Sequence, residues 1–140
     1  DGENYKKIKS LAKELNILDK VALPGYVNDV TPVMRNSLCL LSTSLWEDPG
    51  FVMIEAAMSN TFVISSNCPN GPEEFIGNDS AGLLFDSNNS ESLIAKFKHF
   101  MNMNEEEKLS KKINAKKKLK KYTIFMHAKK LNGVLSNEKQ

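Results

Sequence analysis

Three short apolar runs, each followed by a turn and separated by helix-like segments, constrain this chain more than any other feature. They are Leu38-Cys39-Leu40-Leu41-Ser42, Phe62-Val63-Ile64-Ser65 and Gly82-Leu83-Leu84-Phe85. The first is continuously apolar, which is how a strand covered on both faces reads. A fourth candidate strand, Val21-Ala22-Leu23, is stopped by Pro24-Gly25. Between them, residues 30–37, 50–59 and 71–76 read as helices, and residues 4–15 as a one-sided amphipathic helix. Strands alternating with helices through short connections imply a parallel sheet in an α/β fold, here a three-layer Rossmann-like sandwich. Ligands of such sheets gather at the carboxyl ends of the strands. The loops to watch are therefore 24–29, 43–50 and 66–72. The last third is helical. Ser90 is placed to cap a helix, a second opens with Glu105-Glu106-Glu107 and ends in lysines, and a third runs from Tyr122 to Leu135.

At 140 residues, 41% of them apolar and 26% charged, the chain is one domain's worth of ordinary globular protein. No apolar run approaches the roughly 20 residues that cross a bilayer. No signal peptide opens the sequence, and a start without Met is expected of a piece of a longer protein. Cys39 and Cys68 are far apart and form no metal or redox motif, a usage that suits a reducing cytoplasm. Charge is segregated. Residues 21–95 carry nine acids and one base, Arg35, whereas residues 96–140 carry thirteen lysines and four glutamates. The lysine-rich tail reads as a solvated face or as a contact for an anionic membrane. Without interleaved aromatic residues it is not expected to bind nucleic acid.

The segment Glu47-Asp48-Pro49-Gly50-Phe51-Val52-Met53-Ile54-Glu55-Ala56-Ala57-Met58 carries the chemistry. Glu55 is the only ionisable residue of a helix otherwise apolar all round, so the helix is expected to be buried. A buried carboxylate needs a partner. Two candidates remain open: a salt bridge to Arg35, or the hydroxyls of a ligand such as a ribose diol. Free N–H groups at Gly50, Phe51 and Val52 would make the helix start an anion site. Glu47 and Asp48 just before it would repel a bare phosphate, and Asp48 could equally serve only as an electrostatic cap. With Arg35 the only cation between Lys20 and Lys96, no lysine is expected near Gly50.

Seven residues separate Glu47 from Glu55, and E-x7-E followed by Ala-Ala-Met resembles the donor motif of retaining glycosyltransferases of the GT-B fold, in particular glycosyltransferase family four. Five further blocks stand in that family's order, the first being Asp1-Gly2-Glu3, which is similar to the end of its "G-x-G-x" turn before a helix. Val21–Val27 is similar to its "V-x-F-x-G-x-V" strand and loop, and Thr61–Ser65 to its "x-P-V-I-A/S" strand. Asn70-Gly71-Pro72-Glu73-Glu74 is similar to its "G-G-x-x-E" turn, and Ser80–Leu84 to its "x-x-G-x-L-V" strand. Asp48-Pro49 departs from the more usual "G-F" and Phe62 from a common proline.

The resemblance implies the C-terminal, donor-binding half of a GT-B enzyme, with residues 1–140 as a single domain lacking the upstream strand–helix unit and the acceptor-binding domain. Glu55 would hold the ribose. Gly50, Phe51 and Val52 would meet the diphosphate or sugar through their N–H groups. Glu47 would be the catalytic-site carboxylate facing the transferred sugar. Gly25, Val27 and Asp29 would line the base pocket. The donor would be a UDP- or GDP-sugar, held with no metal or other cofactor. The acceptor would be a glycan or a lipid-linked molecule, bound through the missing domain, so that these residues alone would be inactive. The setting implied is bacterial surface-polysaccharide synthesis in the cytoplasm, peripheral to the inner membrane face. A related GT-B epimerase and a non-catalytic nucleotide-sugar-binding module are the alternatives.

Overall fold

A computed structural model describes residues 2–137. They form two compact units that divide between Val30 and Thr31. The first holds helix α1 (Tyr5–Glu14), a 3-10 turn at Leu18–Lys20 and an irregular stretch to Val30. Helix α1 turns Ala12 inward, but Ile8, Leu11 and Leu15 remain exposed. The strand expected at Val21-Ala22-Leu23 is absent. A strand exists only with a neighbour to bond, and no strand among the described residues pairs with this stretch.

The second unit is the sandwich. Helix α2 (Thr31–Arg35), strand β1 (Cys39–Ser42), helix α3 (Phe51–Met58), strand β2 (Phe62–Ser66), helix α4 (Pro72–Ile76) and strand β3 (Leu83–Phe85) alternate along the chain. Helices α5 (Ser90–Asn102), α6 (Glu105–Lys118) and α7 (Ile124–Asn137) follow, with a 3-10 turn at Leu119–Tyr122 joining the last two. The strands run parallel in the order β1-β2-β3, with Leu41 opposite Ile64 and Ile64 opposite Leu83. The expected parallel α/β fold with a helical tail is therefore present.

The alternation of β2 builds the layers. Val63 points to one side, where it joins Met34, Met53, Ala56, Phe75, Ile76, Ala81 and Ala115. Phe62 and Ile64 point to the other, where they join Leu83, Phe85, Phe100 and Met103. Every residue of β2 is buried. Edge strand β1 is not, contrary to the reading of its apolar run: Leu38 is 76% and Leu41 42% exposed. The packed clusters take in β2 and β3, and their cover thins out at the β1 edge. Helix α5 is capped by Asn89, whose side chain accepts from the N–H of Ser92 at 3.0 Å, rather than by the expected Ser90. Ser90 is already the first helical residue. Helix α6 is capped likewise by Asn104, with its glutamates at the positive end of the helix dipole and its lysines at the negative end.

The turn between α4 and β3 fastens both helical layers. Gly77, Asn78 and Asp79 all adopt positive φ, at +55°, +45° and +59°. One carboxylate oxygen of Asp79 accepts the N–H of Leu84 at 2.6 Å, and the other pairs with Lys96 of α5. Its carbonyl accepts from Lys111 of α6 at 2.5 Å. Among the described residues, no helix is long and apolar enough to cross a membrane.

Strands β2 and β3 meet closely at Gly82, where a Cβ would lie 2.5 Å from the carbonyl oxygen of Val63. Replacing Gly82 with Ala should therefore cost about 1–3 kcal/mol, the scale for overpacking a filled core. Gly133, in α7, has nothing within 4 Å of its Cβ position, and Gly133→Ala should be neutral or stabilise by up to about 1 kcal/mol. Urea unfolding of the two variants reads the contrast.

Candidate functional site at the carboxyl ends of the strands

Loops 43–50 and 67–71 leave the carboxyl ends of β1 and β2 and are laced together. The Ser66 hydroxyl donates to the carbonyl of Ser44 at 2.5 Å, and the N–H of Glu47 donates to the carbonyl of Pro69 at 3.2 Å. The N–H of Asn67 donates to Phe85 at 2.7 Å, tying in the end of β3. The closest approach is backbone on backbone. Gly71, at φ +130°, sits so near Pro49 that a Cβ would lie 2.3 Å from the Pro49 carbonyl oxygen. These contacts fix the turn from which α3 springs.

Gly50 is the N-cap of α3, at φ +80° and ψ +50°, a left-handed conformation that glycine tolerates best. It is buried, and no side chain caps the helix there. Asp48 makes no hydrogen bond to this end, so it contributes at most by charge. The first N–H groups of a helix have no intrahelical acceptor, which leaves those of Phe51 and Val52 available to a ligand. A Cβ at Gly50 would come within 3.5 Å of a carboxylate oxygen of Glu47. Glu47, half-buried, therefore holds its carboxylate beside the helix start.

Glu55 is not buried. Helix α3 packs Met53, Ile54, Ala56 and Ala57 inward, while Phe51, Glu55 and Met58 lie exposed along one stripe at positions i, i+4 and i+7. Its apolar composition concealed an open face, because Phe51 and Met58 stay in solvent. Glu55 also forms no ion pair with Arg35. Among the described residues the ion pairs are Lys96–Asp79 and Lys108–Glu105. Of the remaining expected site residues, Gly25, Val27 and Asp29 lie in the first unit. Val27 is half-buried, Gly25 and Asp29 are exposed, and Gly25 adopts φ +77°.

The basic tail returns to the strand ends, which the sequence reading missed. Pro49 and Phe51 share a cavity of about 600 Å³ with Glu74, Lys121, Tyr122, Ile124, His127 and Lys130. Lysines therefore do stand close to the α3 turn. They are seventy residues or more further along the chain, and no local pattern signals that the helical tail folds back there. Burial, and then the charge of Glu74, pushes the Tyr122 phenol above its ordinary pKa. Lys118 is lowered by burial and next by the charge of Lys121. Among the described residues, no cluster of three or more His, Cys, Asp and Glu has the arrangement of a metal site.

Comparison with known proteins gives consistent matches. The family model described as "Glycosyl transferases group 1" matches residues 1–120. An uncharacterized glycosyltransferase of Methanocaldococcus jannaschii, MJ1059, is 36% identical over 76 residues, covering 54% of this chain and 19% of its own. The N-acetylgalactosamine-N,N'-diacetylbacillosaminyl-diphospho-undecaprenol 4-alpha-N-acetylgalactosaminyltransferase of Campylobacter jejuni is 30% identical over 112 residues, covering 80% of this chain and 30% of its own. The crystal structure of an S. aureus TarM mutant in complex with fondaparinux, alpha-GlcNAc-glycerol and UDP has a TM-score of 0.83 to this chain. It is 26% identical, and the match covers 94% of this chain and 27% of that one. The chain thus spans less than a third of the length of each of these three relatives.

Because Gly71 has no room for a side chain against Pro49, Gly71→Ala should shift the α3 turn as well as strain the backbone. The expected loss is about 2–5 kcal/mol from strain and overpacking together. Proton–nitrogen correlation spectra of the variant should show the largest shifts at Glu47, Gly50 and Phe51. Shifts confined to residues 70–72 would contradict the coupling of the two loops.

Proposed function

The chain belongs to the group 1 glycosyl transferases, and on that premise we propose that it holds the nucleotide-sugar donor of a retaining, family-four hexosyl- or N-acetylhexosaminyltransferase. The observation that carries this reading is the geometry around Gly50. An uncapped helix N-terminus starts at the buried Gly50 with the Glu47 carboxylate beside it, and an exposed Glu55, without an ion pair among the described residues, stands one turn along. Helix N–H groups stabilise the diphosphate and the charge that grows on it as the glycosidic bond breaks. Glu47 accepts from hydroxyls of the transferred sugar, which lies between it and the phosphates and so separates like charges. The Glu55 side chain, without a hydrogen-bond or ion-pair partner among the described residues, accepts from the two ribose hydroxyls. The resemblance of Val21–Val27 to the family's strand and loop supports the nucleotide base as the ligand of Gly25, Val27 and Asp29.

The acceptor attacks on the face from which the diphosphate leaves, and the departing phosphate takes its proton, so that the anomeric configuration is retained. The C. jejuni relative's name specifies an alpha product, and TarM was crystallised with alpha-GlcNAc-glycerol and UDP. Nucleotide-activated N-acetylhexosamines are usually alpha-linked to phosphate, so alpha products support retention. The UDP in the TarM crystal supports UDP over GDP as the nucleotide. The acceptor is a glycan or lipid-linked molecule, and its capture involves the further length that the relatives possess. A setting on the inner membrane face, in polysaccharide synthesis, belongs to the same proposal, as does a donor site that works without a metal.

Because Glu55 is exposed and unpaired, Glu55→Gln should leave the melting temperature within about 1 °C, a change expected of a surface substitution. Affinity for UDP should fall by about 1.5–3 kcal/mol, the scale for charged hydrogen bonds. In the full-length enzyme, Glu47→Ala should lower turnover and blur discrimination between donor sugars while leaving affinity for free UDP nearly unchanged. Calorimetric UDP titration and competition assays between donor sugars read these quantities. A wild-type chain whose Gly50, Phe51 and Val52 resonances ignore UDP and GDP would overturn the donor reading.

A further inference from the structure

The cavity behind Pro49 and Phe51 has a chemistry unlike that of the donor turn it adjoins. It shares only those two residues with the turn: Glu47, Gly50, Val52 and Glu55 do not line it. Lys121, His127 and Lys130 converge on it from the start of α7 and the turn before it, against the single carboxylate of Glu74. Among the described residues neither lysine has a carboxylate within ion-pair distance. Two lysines facing one carboxylate leave the cavity with an excess of positive charge, which an incoming anion relieves. Burial first, and then the charge of Lys121, disfavours the protonated form of neighbouring Lys118. The remaining lining fits a molecule that is anionic in one part only. Tyr122 and Ile124 offer apolar surface, and Glu74 can accept hydroxyl donors.

We propose that this cavity receives the phosphate ester of the acceptor, so that the enzyme's acceptors are phosphate-bearing glycans or polyols. The proposal rests on the donor reading above. With the diphosphate against the N–H groups of α3, as the donor reading has it, a molecule in the cavity would sit beside it across Pro49 and Phe51, where an acceptor must lie. Lys121 and Lys130 bind the phosphate, and Glu74 accepts from a hydroxyl of the same molecule. The phosphate is bound and undergoes no chemistry.

The test is titration of the 140-residue chain with sn-glycerol 3-phosphate, with UDP and with phosphatidylglycerol vesicles, followed by NMR at Phe51, Tyr122, Ile124 and His127. Glycerol 3-phosphate should shift Tyr122, Ile124 and His127, with binding that weakens as salt is added. The double variant Lys121→Gln, Lys130→Gln should weaken this binding roughly tenfold or more, the scale of lost charge-assisted contacts. UDP-induced shifts at Gly50 and Val52 should be unchanged in that variant. Glycerol 3-phosphate shifts confined to Gly50 and Val52, or none at all, would overturn the proposal. Binding to vesicles without binding to glycerol 3-phosphate would overturn it in favour of a membrane-contact surface. Loss of the UDP response with the glycerol 3-phosphate response intact would sink the donor reading, and with it the acceptor role, while leaving the anion site. The reverse result would remove the anion site alone.

Discussion

The complete burial of β2 governs the rest of the second unit. A strand without access to water must satisfy its backbone polar groups within the protein, and the ladders to β1 and β3 do so along both of its edges. Its side chains alternate between two apolar clusters, so helices are required on both faces. Parallel pairing then brings the carboxyl ends of all three strands to one side. The Gly50 turn, the Gly71 turn and the end of β3 meet there because β2 leaves them no other arrangement.

Much of this architecture was legible because it is written in local periodicity. The runs around Cys39, Phe62 and Leu83 became strands within a residue or two, and the helices between them formed as spacing indicated. Readings failed where the outcome depended on a neighbour that the local sequence does not reveal. Val21-Ala22-Leu23 has strand composition but pairs with no strand among the described residues. Leu38 and Leu41 are as apolar as β2 but sit at an edge. Asn89 took the cap expected of Ser90, a shift of one residue that either side chain could have supported.

The candidate site divides in the same way. The sequence around Gly50 announces a helix start suited to an anion, because a glycine directly precedes an apolar helix, and the flanking carboxylates there call for hydroxyls between them and any phosphate. The exposure of Glu55 was misread, since apolar composition was taken for burial on every side, when Phe51 and Met58 in fact share its open stripe. The basic wall formed by Lys121, His127 and Lys130 could not be read at all. Its residues are spaced as on any solvated lysine-rich helix, and only the path of the tail across the strand ends gives them a place beside Pro49.

Asp79 carries an implication for how disturbance spreads through the molecule. One short left-handed turn holds β3 through a main-chain N–H, α5 through Lys96 and α6 through Lys111. Helix α5 packs with the cluster on one side of the sheet and α6 with the cluster on the other. The two outer layers consequently share an anchorage at the end of the sheet away from the ligand-facing loops. Damage to either layer is then felt by both, and the basic helix that closes the cavity rests, through α6, on a fastening remote from any substrate. A change at this turn would reach the candidate site while touching none of its residues.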